Sequence, residues 1–146
     1  MQKLSYVIPC YRSEHTLPDV VAEITAKMKT LPRYSYEIIL VNDCSPDDTI
    51  GTIRRLVAAD AHVQGVDLAR NFGQHAALMA GFHQCSGDVI VCLDDDGQTP
   101  ADEVDRLLER IEAGYDVVYA RYDNKKQAGW RNLGSWVNSK MTEIML

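Results

Sequence analysis

Residues 89–98 read Val-Ile-Val-Cys-Leu-Asp-Asp-Asp-Gly-Gln, an apolar run that passes directly into three consecutive acids. Five apolar residues in a row are typical of a parallel strand that is buried on both faces. Because alternate residues of an extended chain face the same side, Asp94, Asp96 and Gln98 can point at one place. Carboxylates this close repel one another, and a hard divalent cation is the usual remedy. The stretch favours an α/β fold with a Mg²⁺ or Mn²⁺ site, and its alternative is a solvated acidic turn.

Four further strand-like runs surround this stretch and alternate with segments of helical period. The predicted strands are Leu4–Ile8, Glu37–Val41, Val63–Leu68, Val89–Leu93 and Asp116–Ala120. The predicted apolar helix faces are Leu17, Val20, Val21, Ile24 and Met28, then Ile50, Ile53, Leu56 and Val57, then Val104, Leu107, Leu108 and Ile111. Such alternation predicts an α/β fold with a mostly parallel central sheet flanked by helices.

Composition sets the broad class of the chain. Its 146 residues carry 15 Lys and Arg against 21 Asp and Glu, a net charge of -6, which argues against nucleic acid as a partner. No apolar run approaches the ~20 residues of a membrane helix, and the first residues lack the features of a signal peptide. We therefore expect a single cytoplasmic domain over residues 1–146. The four cysteines contain no C-x-x-C pair, so free thiols are expected.

Polar residues also follow the first two predicted strands. Tyr11 and Glu14 come after the first strand, and Asp43 comes directly after the second. Ligands of open α/β sheets bind beyond the carboxyl ends of the strands, so these side chains are expected to meet the acids in one crevice. Asp43 could accept a hydrogen bond from a nucleobase, or it could simply form the turn before Ser45. For Tyr11, packing is the alternative role.

The segment Arg70-Asn71-Phe72-Gly73-Gln74-His75 follows the third predicted strand and opens a helix. Gly73 permits close approach of the backbone, and a cation beside free helix N–H groups could take a phosphate. The segment is not a G-x-G-x-x-G fingerprint, so a nicotinamide cofactor is not supported. His75 and His83 have no Cys or Glu to complete a zinc site.

Several motifs occur in order between Leu4 and about Trp136. They are Val7-Ile8-Pro9-x-Tyr11-x-x-Glu14, Glu37-Ile38-Ile39-x-Val41-x-Asp43-x-Ser45, Arg70-Asn71-x-Gly73, Asp94-x-Asp96-x-Gln98 and Gly114-Tyr115-Asp116-Val117-Val118. Together they resemble the GT-A type, family-two glycosyltransferases. The stretch from Gly73 to Phe82 is most similar to the polyprenyl-phosphate group, which contains dolichol-phosphate mannose synthase and undecaprenyl-phosphate aminoarabinose transferase. The resemblance implies a Rossmann-like GT-A nucleotide-binding domain.

The resemblance also implies roles for individual residues. The nucleotide would be held by Pro9, Tyr11, Glu14, Asp43 and Arg70, with Asp43 reading the base. The metal would be held on the diphosphate by Asp94, Asp96 and Gln98, of which the two acids (the D-x-D pair) are the expected catalytic residues. Arg121 and Arg131 would lie near the phosphates or the acceptor.

The implied reaction transfers a sugar from a nucleoside-diphosphate sugar to an acceptor, expected to be a polyprenyl phosphate. The metal would neutralise the charge that grows on the leaving diphosphate. No general base is assigned, because a lipid phosphate is already anionic. Two alternatives remain: a nucleotide-sugar-binding module without turnover, and a Mg²⁺-dependent phosphohydrolase of the haloacid dehalogenase type. The latter shares D-x-D-G with Asp94-Asp95-Asp96-Gly97 but usually carries it on the first strand.

The chain departs from the family pattern at several positions. Arg12-Ser13 replaces Asn-Glu, Asn42 replaces an acid, and Asp95 and Gly97 replace small or apolar residues, so the charge of Asp95 could alter metal affinity. Family domains continue well past this length, so we expect residues 1–146 to be the N-terminal, donor-binding part of a parent enzyme without its acceptor half or membrane segments. The parent is expected at the cytoplasmic membrane face, and the apolar positions within 130–146 suggest self-association.

Overall fold

The structure is a computed structural model that describes residues 2–97 and 101–120. Strands and helices alternate along these ranges. Their bounds are β1 Lys3–Cys10, α1 Leu17–Lys29, β2 Ser35–Asn42, α2 Thr49–Ala59, β3 Val63–Asp67, α3 Gln74–Phe82, β4 Val89–Cys92 and α4 Val104–Glu112, with a 3₁₀ turn at Ala101–Glu103. Four of the five predicted strands and all the predicted apolar helix faces therefore fall on elements of the expected type.

The four strands form one parallel sheet in the order β3-β2-β1-β4. Consecutive residues of β1 point to opposite faces, and each face is covered by a helix. On one face Tyr6 donates its hydroxyl to Met28 Sδ of α1 at 3.2 Å. On the other face Val7 and Val41 form a buried cluster with Ala77 of α3. The predicted α/β fold, a parallel sheet flanked by helices, is confirmed.

Burial follows the predicted helix faces in α1 and only partly in α2. All five predicted α1 residues are buried. In α2 Ile53 is buried whereas Val57 is 40% exposed, and the other buried residues are Thr49 and Thr52. The reason is the position of α2 against β3, an edge strand of the described sheet, where Gly65 lies beneath Ile53. An edge strand covers less of a helix than a central strand does.

The pairing of β1 with β4 ends before β1 itself ends. Register pairs join Leu4 through Val7 to β4, and the last bond runs from the Leu93 N–H to the Val7 carbonyl at 3.2 Å. Pro9 and the residue after it continue beside β2 alone, with Pro9 opposite Val41. A crevice therefore opens between the carboxyl ends of β1 and β4, where the strand order reverses, which is the usual ligand position of this architecture.

A polar cluster occupies the opposite, amino-terminal edge of the sheet. The Glu37 carboxylate is buried and accepts hydrogen bonds from Lys3 Nζ at 2.7 Å, Ser5 Oγ at 2.6 Å and the Ser86 N–H at 2.7 Å. Burial opposes ionisation of Glu37, but these hydrogen bonds outweigh it and lower its pKa to about 2. The cluster joins the beginnings of β1 and β2 to the turn that precedes β4.

The prediction of a strand at Asp116–Ala120 was wrong. The chain divides into two units, Met1–Asp105 and Arg106–Leu146, and residues 116–120 belong to the second, where they have no strand structure. A strand needs backbone bonds to a neighbour, and here Val117 is 64% and Tyr119 89% exposed. The prediction of one domain stays a prediction. Within the described ranges, every helix is too short or too polar to cross a bilayer.

Candidate functional site

A cleft of about 390 Å³ lies at the carboxyl edge of the sheet. It is lined by Pro9, Cys10, Tyr11, Asp43, Asn71, Gly73, Gln74, Asp94, Asp95 and Asp96. These residues come from the end of β1 and from the segments that follow the four strands, as expected for a parallel sheet. The structure therefore brings together five of the predicted site residues, namely Pro9, Tyr11, Asp43, Asp94 and Asp96.

Asp43 fixes the wall of the cleft that precedes α3. Its side chain is buried, and its two oxygens accept the backbone N–H groups of Phe72 at 2.8 Å and Gly73 at 2.9 Å. Gly73 has φ +89°, a left-handed conformation that favours glycine. Asp43 thus holds the beginning of α3 against the end of β2. The base-reading role that the resemblance implies for Asp43 stays a prediction.

The acidic segment after β4 forms the other wall. Asp94 is half-buried, and its Oδ1 accepts a long hydrogen bond of 3.5 Å from Gln74 Nε2 across the cleft. Asp96 is exposed at the same edge. Asp95 lies between them and bonds with the segment after β1: its Oδ2 accepts the Tyr11 N–H at 3.0 Å.

Two predicted nucleotide-binding residues do not line the cleft. Glu14 lies beside the beginning of α2, where its Oε2 accepts the Asp48 N–H at 2.7 Å and its Oε1 pairs with His15 at 2.9 Å. Arg70 is exposed, with its guanidinium 4.8 Å from the centre of the Phe72 ring. The predicted contacts of Glu14 and Arg70 with a nucleotide stay predictions. Each contact would require its side chain to move toward the cleft.

Hydrogen bonds tie the segments after β1 and β2 together. The Arg12 N–H donates to Ser45 Oγ at 2.7 Å, and the Ser13 N–H donates to Thr49 Oγ1 at 2.9 Å. Both hydroxyls in turn donate to Asp47 Oδ1, at 2.5 and 2.6 Å. Although burial opposes ionisation of Asp47, these bonds lower its pKa to about 2. The turn is thus built around one carboxylate, and α2 begins at Thr49 instead of following Ser45 directly.

The acids of the cleft fit a hard divalent cation in chemistry and exposure. Asp94 and Asp96 offer carboxylate oxygens, and Mg²⁺ and Mn²⁺ are commonly held by one or two carboxylates together with substrate phosphates. In residues 2–97 and 101–120, no three His, Cys, Asp or Glu side chains converge into a complete metal cage. Substrate phosphates and waters commonly supply the remaining ligands of such a cation. Gln98, Arg121 and Arg131 lie outside the described residues.

Sequence reasoning missed the part played by Asp95. It treated this residue as an extra charge beside the metal site, whereas the structure joins it to the segment after β1. The alternation of an extended chain predicted only that Asp95 points away from its two neighbours, and the structure places Asp95 and Asp96 in a turn after β4. The hydroxyls of Ser13 and Thr16 also bond with Asp95. No local sequence pattern connects these two residues with Asp95, which lies some eighty positions away.

Comparison with known proteins relates this chain to a known family. The model of the family described as "Glycosyl transferase family 2" matches residues 5–144. An undecaprenyl-phosphate 4-deoxy-4-formamido-L-arabinose transferase of Pseudomonas fluorescens is 45% identical over 129 residues, 88% of this chain and 38% of the relative. The protein with the same name from Proteus mirabilis is 39% identical over 145 residues, 98% of this chain and 44% of the relative. The chain thus spans about two fifths of these relatives.

Solved structures share the fold at lower identity. TarS residues 1–349 of S. aureus align with a TM-score of 0.62 at 16% identity, covering 86% of this chain and 40% of that one. A mannosyltransferase of Pyrobaculum calidifontis, solved with GDP-Man and Mn²⁺, aligns with a TM-score of 0.59 at 19% identity, covering 70% and 30%. With the family model spanning nearly all of its length, this chain belongs to glycosyl transferase family 2.

Proposed function

We propose that this chain is the donor-binding part of a glycosyltransferase that moves a sugar from a nucleoside-diphosphate sugar to a polyprenyl phosphate. The observation that carries the proposal is the cleft, in which Tyr11, Asp43 and the two acids Asp94 and Asp96 converge from three strand ends. Its volume of about 390 Å³ falls in the ordinary range for small-molecule sites. Family membership leaves the phosphohydrolase alternative without support.

We infer a uridine nucleotide as the donor and undecaprenyl phosphate as the acceptor class. The names of the relatives support the acceptor, because they specify undecaprenyl phosphate. A structural neighbour solved with UDP and with UDP-GlcNAc supports the donor. A lipid-linked acceptor requires the parent enzyme to work at a membrane surface, for which we propose the cytoplasmic face.

The chemistry assigns different tasks to the two sides of the cleft. Tyr11 and Asp43 would contact the nucleoside, while Asp94 and Asp96 would hold Mg²⁺ or Mn²⁺ on the diphosphate. The cation would supply charge neutralisation to the departing diphosphate. The N–H groups at the beginning of α3, after Gly73, lie at the same cleft and favour negative charge. The acceptor phosphate attacks the anomeric carbon with an oxygen that is already charged, so no strong base is needed.

The first test is thermal unfolding with UDP, GDP and ADP, each with and without Mn²⁺. A ligand at 100-fold over its Kd stabilises by about 2.7 kcal/mol, about 5–10 °C in Tm for a domain of this size. We expect a Mn²⁺-dependent shift with UDP in the native protein and in Asp19→Asn, an exposed control carboxylate on α1. The shift should disappear in Asp96→Asn. No shift with any nucleotide, or an undiminished shift in Asp96→Asn, would refute the assignment.

A binding module without turnover predicts the same Tm shifts, so transfer must be measured separately. The appropriate assay uses the full-length parent enzyme, UDP-sugars and undecaprenyl phosphate in detergent, with release of UDP as the readout. Sugar-dependent release that requires the lipid phosphate supports the enzyme. Tight binding of UDP, together with no UDP release from any of the UDP-sugars, would favour a binding module without turnover.

A further inference from the structure

We propose that Asp95 is a positioning residue that latches the nucleoside side of the cleft to its metal side. The inference rests on the proposed function and deepens it. Asp95 acts here as a hydrogen-bond acceptor and neither as a metal ligand nor as an extra negative charge. Its task is to hold Tyr11 at a fixed distance from the two acids that flank Asp95 in sequence.

The latch consists of three hydrogen bonds to one short segment. Asp95 Oδ2 accepts the Tyr11 N–H at 3.0 Å and, in a very short contact, the Ser13 hydroxyl. The backbone carbonyl of Asp95 accepts the Thr16 hydroxyl at 2.6 Å. All three donors belong to the segment between β1 and α1, whereas Asp95 follows β4. The contacts therefore bridge two loops that are far apart in the chain.

The bridge stands where strand pairing has ended. The ladder between β1 and β4 stops at Val7, after the bond from the Leu93 N–H. Beyond this point the two segments diverge to form the cleft, and the regular sheet no longer fixes their separation. Asp95 restores a defined separation at the mouth of the opening.

The same contacts stabilise an unusual backbone conformation. Arg12 has φ +57°, a left-handed value that is energetically unfavourable for a non-glycine residue. The two donors to Asp95 Oδ2 belong to Tyr11 and Ser13, the residues on either side of Arg12. Asp95 thus ties the turn that carries Tyr11, which is 45% exposed, to the segment after β4.

This arrangement predicts which ligands should be sensitive to the latch. A nucleoside diphosphate with its cation touches both sides of the cleft and gains from a preset separation. A nucleoside touches only the side that carries Tyr11 and Asp43, so its affinity should depend little on the separation of the two sides. Asparagine at position 95 keeps an acceptor oxygen for Tyr11 and Ser13 but loses the charge, whereas alanine loses both. The latch therefore predicts that Asn preserves affinity and Ala does not.

The experiment measures the Kd of UDP with Mn²⁺, and of uridine, by calorimetry in native protein, Asp95→Asn and Asp95→Ala. We expect Asp95→Ala to lose about tenfold in UDP–Mn²⁺ affinity, the size of effect that one hydrogen bond supports, with uridine affinity within about twofold of native. Asp95→Asn should stay within about threefold of native for both ligands. Equal losses in Asn and Ala would overturn the latch in favour of a charge or metal-ligand role, and an equal loss for uridine would reduce it to a general structural effect.

Amide hydrogen exchange tests the latch without any ligand. The Tyr11 N–H should exchange faster in Asp95→Ala and at the native rate in Asp95→Asn, while the Ile39 N–H in the core reports that both variants are folded. Unchanged Tyr11 exchange in Asp95→Ala would overturn the latch even if UDP binds. Failure of native protein to bind UDP with Mn²⁺ would overturn the proposed function instead, so the two failures are distinguishable.

Discussion

Replacing Glu37 by Gln should destabilise the protein in a manner that depends on pH. The carboxylate lies on β2, is 3% exposed, and accepts a further hydrogen bond from Gln64 Nε2 at 3.1 Å in addition to those from Lys3, Ser5 and Ser86. A glutamine offers one oxygen and one NH₂ group, so some of these donors would face another donor. The Lys3 ammonium would also lose its 2.7 Å ion-pair partner.

The lowered pKa of Glu37 determines how much stability the carboxylate contributes to the folded protein. It falls from 4.5 to about 2 in the folded protein, because the hydrogen bonds outweigh the effect of burial. At 1.36 kcal/mol per pKa unit, a difference of about 2.5 units corresponds to about 3 kcal/mol. Since the folded pKa is the lower one, this stability is fully present above the unfolded value of 4.5 and is lost as pH falls toward 2.

Urea unfolding at pH 7, 5 and 3 measures the effect. At pH 7 we expect Glu37→Gln to be about 3 kcal/mol less stable than native protein, and at pH 3 the difference should narrow by about 2 kcal/mol. Glu23→Gln, on the exposed side of α1, is the matched control and should change stability by less than about 0.5 kcal/mol. A difference that stays constant between pH 7 and pH 3 would refute the reasoning, because it would show that Glu37 has the same pKa in both states.

Two further substitutions test the packing and the loop beside the cleft. Gly81→Ala would put a Cβ 2.4 Å from Val7 Cγ1, so despite the better helix propensity of Ala we expect a net loss of about 1 kcal/mol in urea unfolding; a gain in stability would contradict this packing. Asp43→Asn leaves the Phe72 or Gly73 N–H facing an NH₂ group, which should cost about 1–3 kcal/mol and speed amide exchange at both positions; unchanged exchange there would show that Asp43 does not hold the loop.

The sequence was sufficient to predict the four described strands because β1, β2 and β4 are largely apolar runs and β3 keeps Val63 and Val66 between two helical segments. The convergence of Tyr11, Asp43, Asp94 and Asp96 also followed, since parallel strands deliver their carboxyl ends to one edge. Family resemblance added the ligands that are expected at this edge, which no pattern of burial provides.

The remaining features depend on partners that are distant in the chain. Residues 116–120 have the composition of a strand, but composition does not supply the neighbour that a strand requires. The beginning of α2 at Thr49 depends on Ser45, which bonds with Asp47 and Arg12 and does not cap the helix. Asp95 was interpreted as an extra charge beside the metal site, because its contacts with the β1–α1 segment cannot be read from the sequence.

The proline near the end of β1 weakens backbone pairing beside the cleft, whatever the ligand state. Alternate residues of a strand direct their polar groups to the same neighbour, and Val7 bonds toward β4, so the ring nitrogen of Pro9 faces the β4 side as well. That nitrogen has no hydrogen to donate. The ladder between β1 and β4 therefore lacks a backbone donor at position 9. A covalent ring thus removes one of the bonds that would draw the two strands together over the place where the donor would lie.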